Sequence, residues 1–157
     1  FTMWATKFRI AGASKGDTWE NDILKLLFNA TAIANIADNA AVGPLTNLES
    51  LHTADPGEAG DQTTSETAYT GYSRVTVART TGGWTVSGTA PTVVSPVANI
   101  DFGECTGSPG GAITHFSVGL SSSGAGTALY NGTVTQNISI NTNVTPSLTT
   151  ASAITED

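Results

Sequence analysis

The chain is short of charge, short of basic residues in particular, almost without cysteine, and without any long apolar run. Charged residues make up 12% of its 157 residues, against about 25% in an average globular chain. That excludes a charged disordered tail. Six Lys plus Arg stand against thirteen Asp plus Glu, a net charge of −7. A nucleic-acid surface needs a basic patch to neutralise phosphates, and six cations do not build one. The same shortage argues against an anionic membrane surface. With one cysteine, Cys105, no intrachain disulfide framework can form, so burial and hydrogen bonds must hold the fold. No apolar stretch approaches the roughly 20 residues of a membrane-spanning helix. The opening FTMWATKFRI (1–10) is short and broken by Lys7 and Arg9, unlike a secretory signal. The expectation is a soluble protein made in a cytoplasm, with neither nucleic acid nor membrane as partner.

What is present is Thr, Ser, Asn, Gly and Val, the residues of strands and turns. One domain of this length has room for a true core. Its predicted parts are an N-terminal arm (1–16), a helix (17–30) and a β-sandwich (48–157). The helix is DTWENDILKLLFNA (17–30). Asp17 and Glu20 have capping-box spacing, and Trp19, Ile23, Leu26, Leu27 and Ala30 fall on one face of a 3.6-residue period. Leu24 and Phe28 widen that stripe, so the helix should be buried along most of its girth, against a sheet or a neighbouring subunit. Residues 31–45 read as a connector with at most one short strand.

From Leu48 the period becomes two. Leu48, Ser50 and His52 alternate with Glu49, Leu51 and Thr53, and Val75 and Val77 with Arg74, Thr76 and Ala78. Gly82–Gly83 predicts a hairpin turn with WTVSG (84–88) as the returning strand. In TVVSPVANIDF (92–102), Pro96 implies an edge strand or a break. AITHFSVGL (112–120), ALYNGTVT (128–135), NISI (137–140) and SLTTASAI (147–154) complete a series of short strands. Turn signals roughly every ten residues give the pattern of a β-sandwich, jelly-roll-like, with one N-terminal α-helix.

Three constellations invite a chemical reading. His52, Asp55, Glu58 and Asp61 are of metal-ligating type, but a metal needs ligands converging at about 2.0–2.6 Å. Their spacing matches neither zinc patterns nor a calcium-hand loop, and Pro56, Gly57 and Gly60 suit a solvated polar turn better. Cys105, His115 and Asp101 contain the residue types of a nucleophilic triad, without a nucleophile-elbow motif. Trp4, Trp19, Trp84, Tyr69, Tyr72 and Tyr130 could line a sugar-binding face, though such aromatics more often anchor cores and interfaces. The expectation is no catalytic residue, no cofactor and no metal. Four Asn-x-Ser/Thr triplets, at Asn29, Asn131, Asn137 and Asn143, are what chance provides in so Asn- and Thr-rich a chain.

Three segments together carry a resemblance: DTWENDILKLLFNATAIANI (17–36), SLHTADPGEAGDQTTSETAYTGYSRVTVAR (50–79) with WTVSG (84–88), and AITHFSVGL (112–120) with LYNGTVT (129–135). In that order they are similar to a family of small tailed-bacteriophage virion structural proteins, tail-fibre-like or capsid-decoration-like. The resemblance implies a non-enzymatic virion component with a mostly β fold, made in the host bacterial cytoplasm. It also implies that HTADPGEAG (52–60) is a turn with its acids in solvent, where Arg74 and Arg79 can pair with some of them. The short, repeat-free chain favours a capsid cement or decoration protein bound to the major capsid protein or other virion proteins. A tail-fibre or tail-tip protein, or a carbohydrate-binding host-attachment module, is the alternative. A homo-oligomer, a trimer, is expected. Trp4, Phe8 and Ile10 on the arm and Trp19 on the helix are the expected interface anchors, the arm either adding a strand to a partner's sheet or folding back on its own domain.

Overall fold

The structure, a computed structural model, describes residues 13–29, 31–34, 36, 46–88 and 91–156. Trp4, Phe8 and Ile10, and most of the predicted connector, lie outside the described residues. In chain order the elements are β1 (Ala13–Lys15), α1 (Asp17–Asn29), β2 (Thr46–His52), β3 (Val75–Ala78), β4 (Trp84–Ser87) and β5 (Thr92–Pro96). β6 (Ile100–Asp101), β7 (Ile113–Gly119), β8 (Ala128–Ile138), β9 (Ser147–Leu148) and β10 (Ile154–Glu156) follow. They form a five-stranded sheet ordered β1-β8-β7-β2-β3, a three-stranded sheet β10-β5-β4 and a pair β6-β9. Every strand pairing among the described residues is antiparallel. The fold is mainly β and sandwich-like, with one helix among the described residues.

Register assigns the faces. Glu49 stands opposite Val75 and Val118, Leu51 opposite Phe116, and Val118 opposite Tyr130. Directly opposed residues share a face, so this is the inner face of the large sheet. Trp84, Val94 and Ile154 of the three-stranded sheet meet it, joined by Ile100 and Leu148 of the small pair. Leu51 and Ile113 are fully buried. Tyr69, Tyr72 and Phe102 extend the core, with ring centroids 5.4 Å and 6.2 Å apart. Tyr69 donates to Gly103 O at 2.7 Å, and burial pushes its hydroxyl up to about 12.

Several expectations change at this level. The Gly82–Gly83 turn is present, but β3 pairs with β2 and β4 with β5. The turn is therefore a corner between two sheets and not the tip of a hairpin. Gly83 and Trp84 N–H both donate to Thr80 O at 3.0 Å, which closes the corner before β4 can fold back on β3. Pro96 breaks the chain as expected, yet β5 is a central strand, because Pro96 is its last residue. The segments 128–135 and 137–140 are joined into one long β8 with an irregular register against β7, and 147–154 is split between β9 and β10. Lys15 and its neighbours, assigned to the arm, form a strand against β8.

The helix starts at Asp17, but the first helical carbonyl is that of Gly16, which accepts from Glu20 N–H at 3.1 Å. Asp17 N–H donates instead to Glu58 O at 2.9 Å, so a loop carbonyl satisfies one of the free donors of the first turn. Only glycine fits at 16, because a Cβ there would run into Ala128 O. Among the described residues no strand packs along the helix. Trp19, Ile23 and Leu26 are half-buried and Phe28 is 80% exposed, in contrast to the girth-wide burial expected.

Candidate functional site

The outer face of the large sheet carries Ser50 and His52 on β2, Ser117 on β7 and Asn131 on β8, opposed in register. Four polar side chains on a sheet face normally meet water. Here the segment 53–67 folds across them, and Ser50, His52, Ser117 and Asn131 are all buried. Buried polar groups need partners, and the loop supplies them. Thr64 O lies 2.8 Å from His52 Nδ1. A carbonyl only accepts, so Nδ1 carries the proton and Nε2 accepts from Ser117 Oγ at 2.8 Å. Burial pulls the His52 imidazole below its usual range, partly offset by the bond to Thr64. Gln62, buried as well, donates to Ser50 Oγ at 3.0 Å and accepts from Ser121 N–H at 3.0 Å. Asn131 donates to Gly57 O at 3.2 Å.

An ion pair locks the end of this clasp. Arg74 Nε and Nη2 donate to the two oxygens of Glu66 at 2.7 and 2.8 Å. Its remaining donors reach Ser121 O and Gly124 O, each at 2.9 Å. Tyr72 donates to Glu66 Oε1 at 2.9 Å and accepts from Leu51 N–H at 3.1 Å. The side chain of Arg74 is 2% exposed and that of Glu66 18%. The acidic partner of Arg74 is thus Glu66, held in the fold, and not one of the solvent-facing acids of HTADPGEAG.

His52, Asp55, Glu58 and Asp61 do not converge. Asp55 accepts from Gly57 N–H at 2.8 Å, a local turn. Asp61 accepts from Thr63 N–H at 2.7 Å, and hydrogen bonds from the Thr63 hydroxyl and amide hold its carboxyl below the usual range. Asp55 and Glu58 are exposed while His52 is sealed beneath the loop. No three His, Cys, Asp or Glu side chains are grouped for a metal among the described residues. Cys105, His115 and Asp101 are also apart in their bonding. Buried Cys105 points its thiol at Gly107 O and Ser108 O, His115 Nδ1 meets Thr114 Oγ1 at 2.8 Å, and Asp101 is exposed on β6. The pairing that sequence reasoning missed is His52–Ser117, a base beside a hydroxyl. Both are 0% exposed, so their bond serves the clasp.

The aromatic set divides. Tyr69 and Tyr72 are core, Trp19 is on the helix and Trp4 is outside the described residues. Trp84 and Tyr130 come together in an open groove of about 490 Å³ where the two sheets part, with Arg79, Thr80 and Thr81 on its rim and Val86, 66% exposed, on its wall. Residue type signalled Trp84 and Tyr130, but Arg79 enters only because the corner turns there.

No helix among the described residues is long and apolar enough to cross a membrane. A family model described as podophage GP4 fiber I protein gp80 matches residues 14–155. No curated protein matches the chain.

Proposed function

Because the chain belongs to the podophage GP4 fiber I protein gp80 family, a family of phage virion structural proteins, we propose that it is a building block of a tail fibre. The family match over nearly the whole chain is the observation that carries this reading. It favours the fibre over the capsid-cement role that chain length suggested, for which nothing in the fold or the family speaks. The protein works through contacts and not through catalysis, in a homo-oligomer, a trimer, that joins other virion proteins. The clasp ties down the polar loops of one face, which leaves apolar surface on the helix and around the groove as the adhesive part. A standard interface buries about 1,600 Å², and the half-exposed helix stripe can supply part of that.

Purified particles test the proposal. Quantitative mass spectrometry should find a few copies per fibre, and antibody labelling should mark the tail. Hundreds of copies spread over the head would restore the cement reading. A host-glycan attachment role draws on one observation, the groove that Trp84 and Tyr130 both line. Selective binding on a glycan array, lost in Trp84→Ala, would favour it.

A further inference from the structure

Among the described residues Glu49 is the one acidic side chain on the inner face of the large sheet, and it is 1% exposed. Its Oε1 has no hydrogen-bond partner, and neither does the buried indole Nε1 of Trp84 across the interface. Both residues line one cavity of about 10 Å³ between the sheets, walled otherwise by Val94, Pro96, Phe116 and Ile154 among others. The cavity has no other ionisable lining. Flanking β3, Arg74 is committed to Glu66 and Arg79 lines the groove. On β2 and β7, His52 and His115 occupy the outer face. On β6, Asp101 is exposed, and Lys15 on β1 lies beyond Val118 and Tyr130 in the same row. β4, β5 and β9 carry no ionisable side chain, and on β10 Glu156 pairs with Thr92 at the strand's far end. Among the described residues no cation lies against the Glu49 carboxyl, and a buried carboxylate without a compensating charge is strongly disfavoured.

From this geometry we infer that Glu49 is a pH latch between the two sheets: neutral, it lets them close on Trp84, and ionised, it drives them apart. Burial alone raises its carboxyl well above the usual range. The sign follows from linkage. Between the unfolded value, about 4.5, and the raised folded value, only the folded state keeps the proton, so folding weakens as pH rises, up to about tenfold per pH unit. The inference does not depend on the fibre assignment.

Glu49→Gln keeps the shape and cannot ionise. Urea unfolding of the full chain from about pH 5 to pH 8 should show the folding constant of the variant gaining on that of the wild type as pH rises. The Trp84 indole resonance should titrate in the wild type and stay fixed in the variant. A ratio of folding constants that is constant with pH would overturn the inference. A second measurement needs no variant. In wild-type protein carrying carboxyl-labelled glutamate, one resonance, absent from Glu49→Gln, should keep the neutral-acid position to a pH at which every other glutamate has ionised; if all the glutamates titrate together, the latch does not exist.

Discussion

Arg74→Ala is the sharpest test of the clasp. The substitution removes a guanidinium that makes two bonds to Glu66 and two to the carbonyls of Ser121 and Gly124. Removing one partner of a buried ion pair costs about 3–5 kcal/mol, most of it from the charge left behind. Glu66 retains some solvent contact, 18%, and the Tyr72 hydroxyl still donates to it, so the lower end, about 3 kcal/mol, applies here. Against a urea slope of about 1–3 kcal/mol/M for a domain of this size, that is a midpoint shift of roughly 1–3 M. Equilibrium unfolding by circular dichroism reads it directly. Adding Glu66→Gln to Arg74→Ala removes the stranded charge and should recover part of the loss. Since the pair is shielded, raising the salt should barely change the result. A single-variant loss under about 1 kcal/mol, as at an exposed pair, with no recovery in the double variant, would refute the idea that this pair locks the loop.

Lowered by burial, His52 should add acid sensitivity. The folded state resists a proton that the unfolded chain accepts below about pH 6.5, so stability falls as pH drops through that value, and His52→Gln should flatten the slope. Comparing the two proteins at each pH cancels the opposite contribution of Glu49. Gly71 has φ 103° and a Cβ there would meet Glu104 O, so Gly71→Ala should cost at least about 1–3 kcal/mol, seen as a lowered thermal midpoint. Phe28, 80% exposed, should accept Glu with less than about 0.5 kcal/mol change in stability, while light scattering reports weaker self-association if the helix stripe is the subunit contact.

The periodic parts of the chain were the legible ones. The helix, the turn positions and the alternation around Val75, Phe116 and Val118 follow from residue type alone, because each repeats a local geometry. Pairing partners were not legible: Gly82–Gly83 reads as a hairpin, and only the register of β4 against β5 shows it to be a corner. The clasp was hidden for a different reason. Ser50, His52, Gln62 and Ser117 look like surface residues, and their burial depends on a loop that returns across the sheet. Alternation put Glu49 on one face with Leu51, and the pairing of Leu51 with Phe116 turns that face inward; that a carboxylate would be sealed there is not legible from residue type.

Among the described residues, a three-residue tether, Ala13 to Lys15 against Tyr130 to Gly132, ties the chain ahead of the helix to the body of the sheet. Tension reaching Ala13 would load this short lap joint together with the Gly16–Leu129 and Asp17–Glu58 amide bonds behind it. The long β7–β8 and β2–β7 seams carry none of that strain until the joint has peeled. Under load this corner would yield first, as a mechanical fuse, before the sandwich beneath it opens.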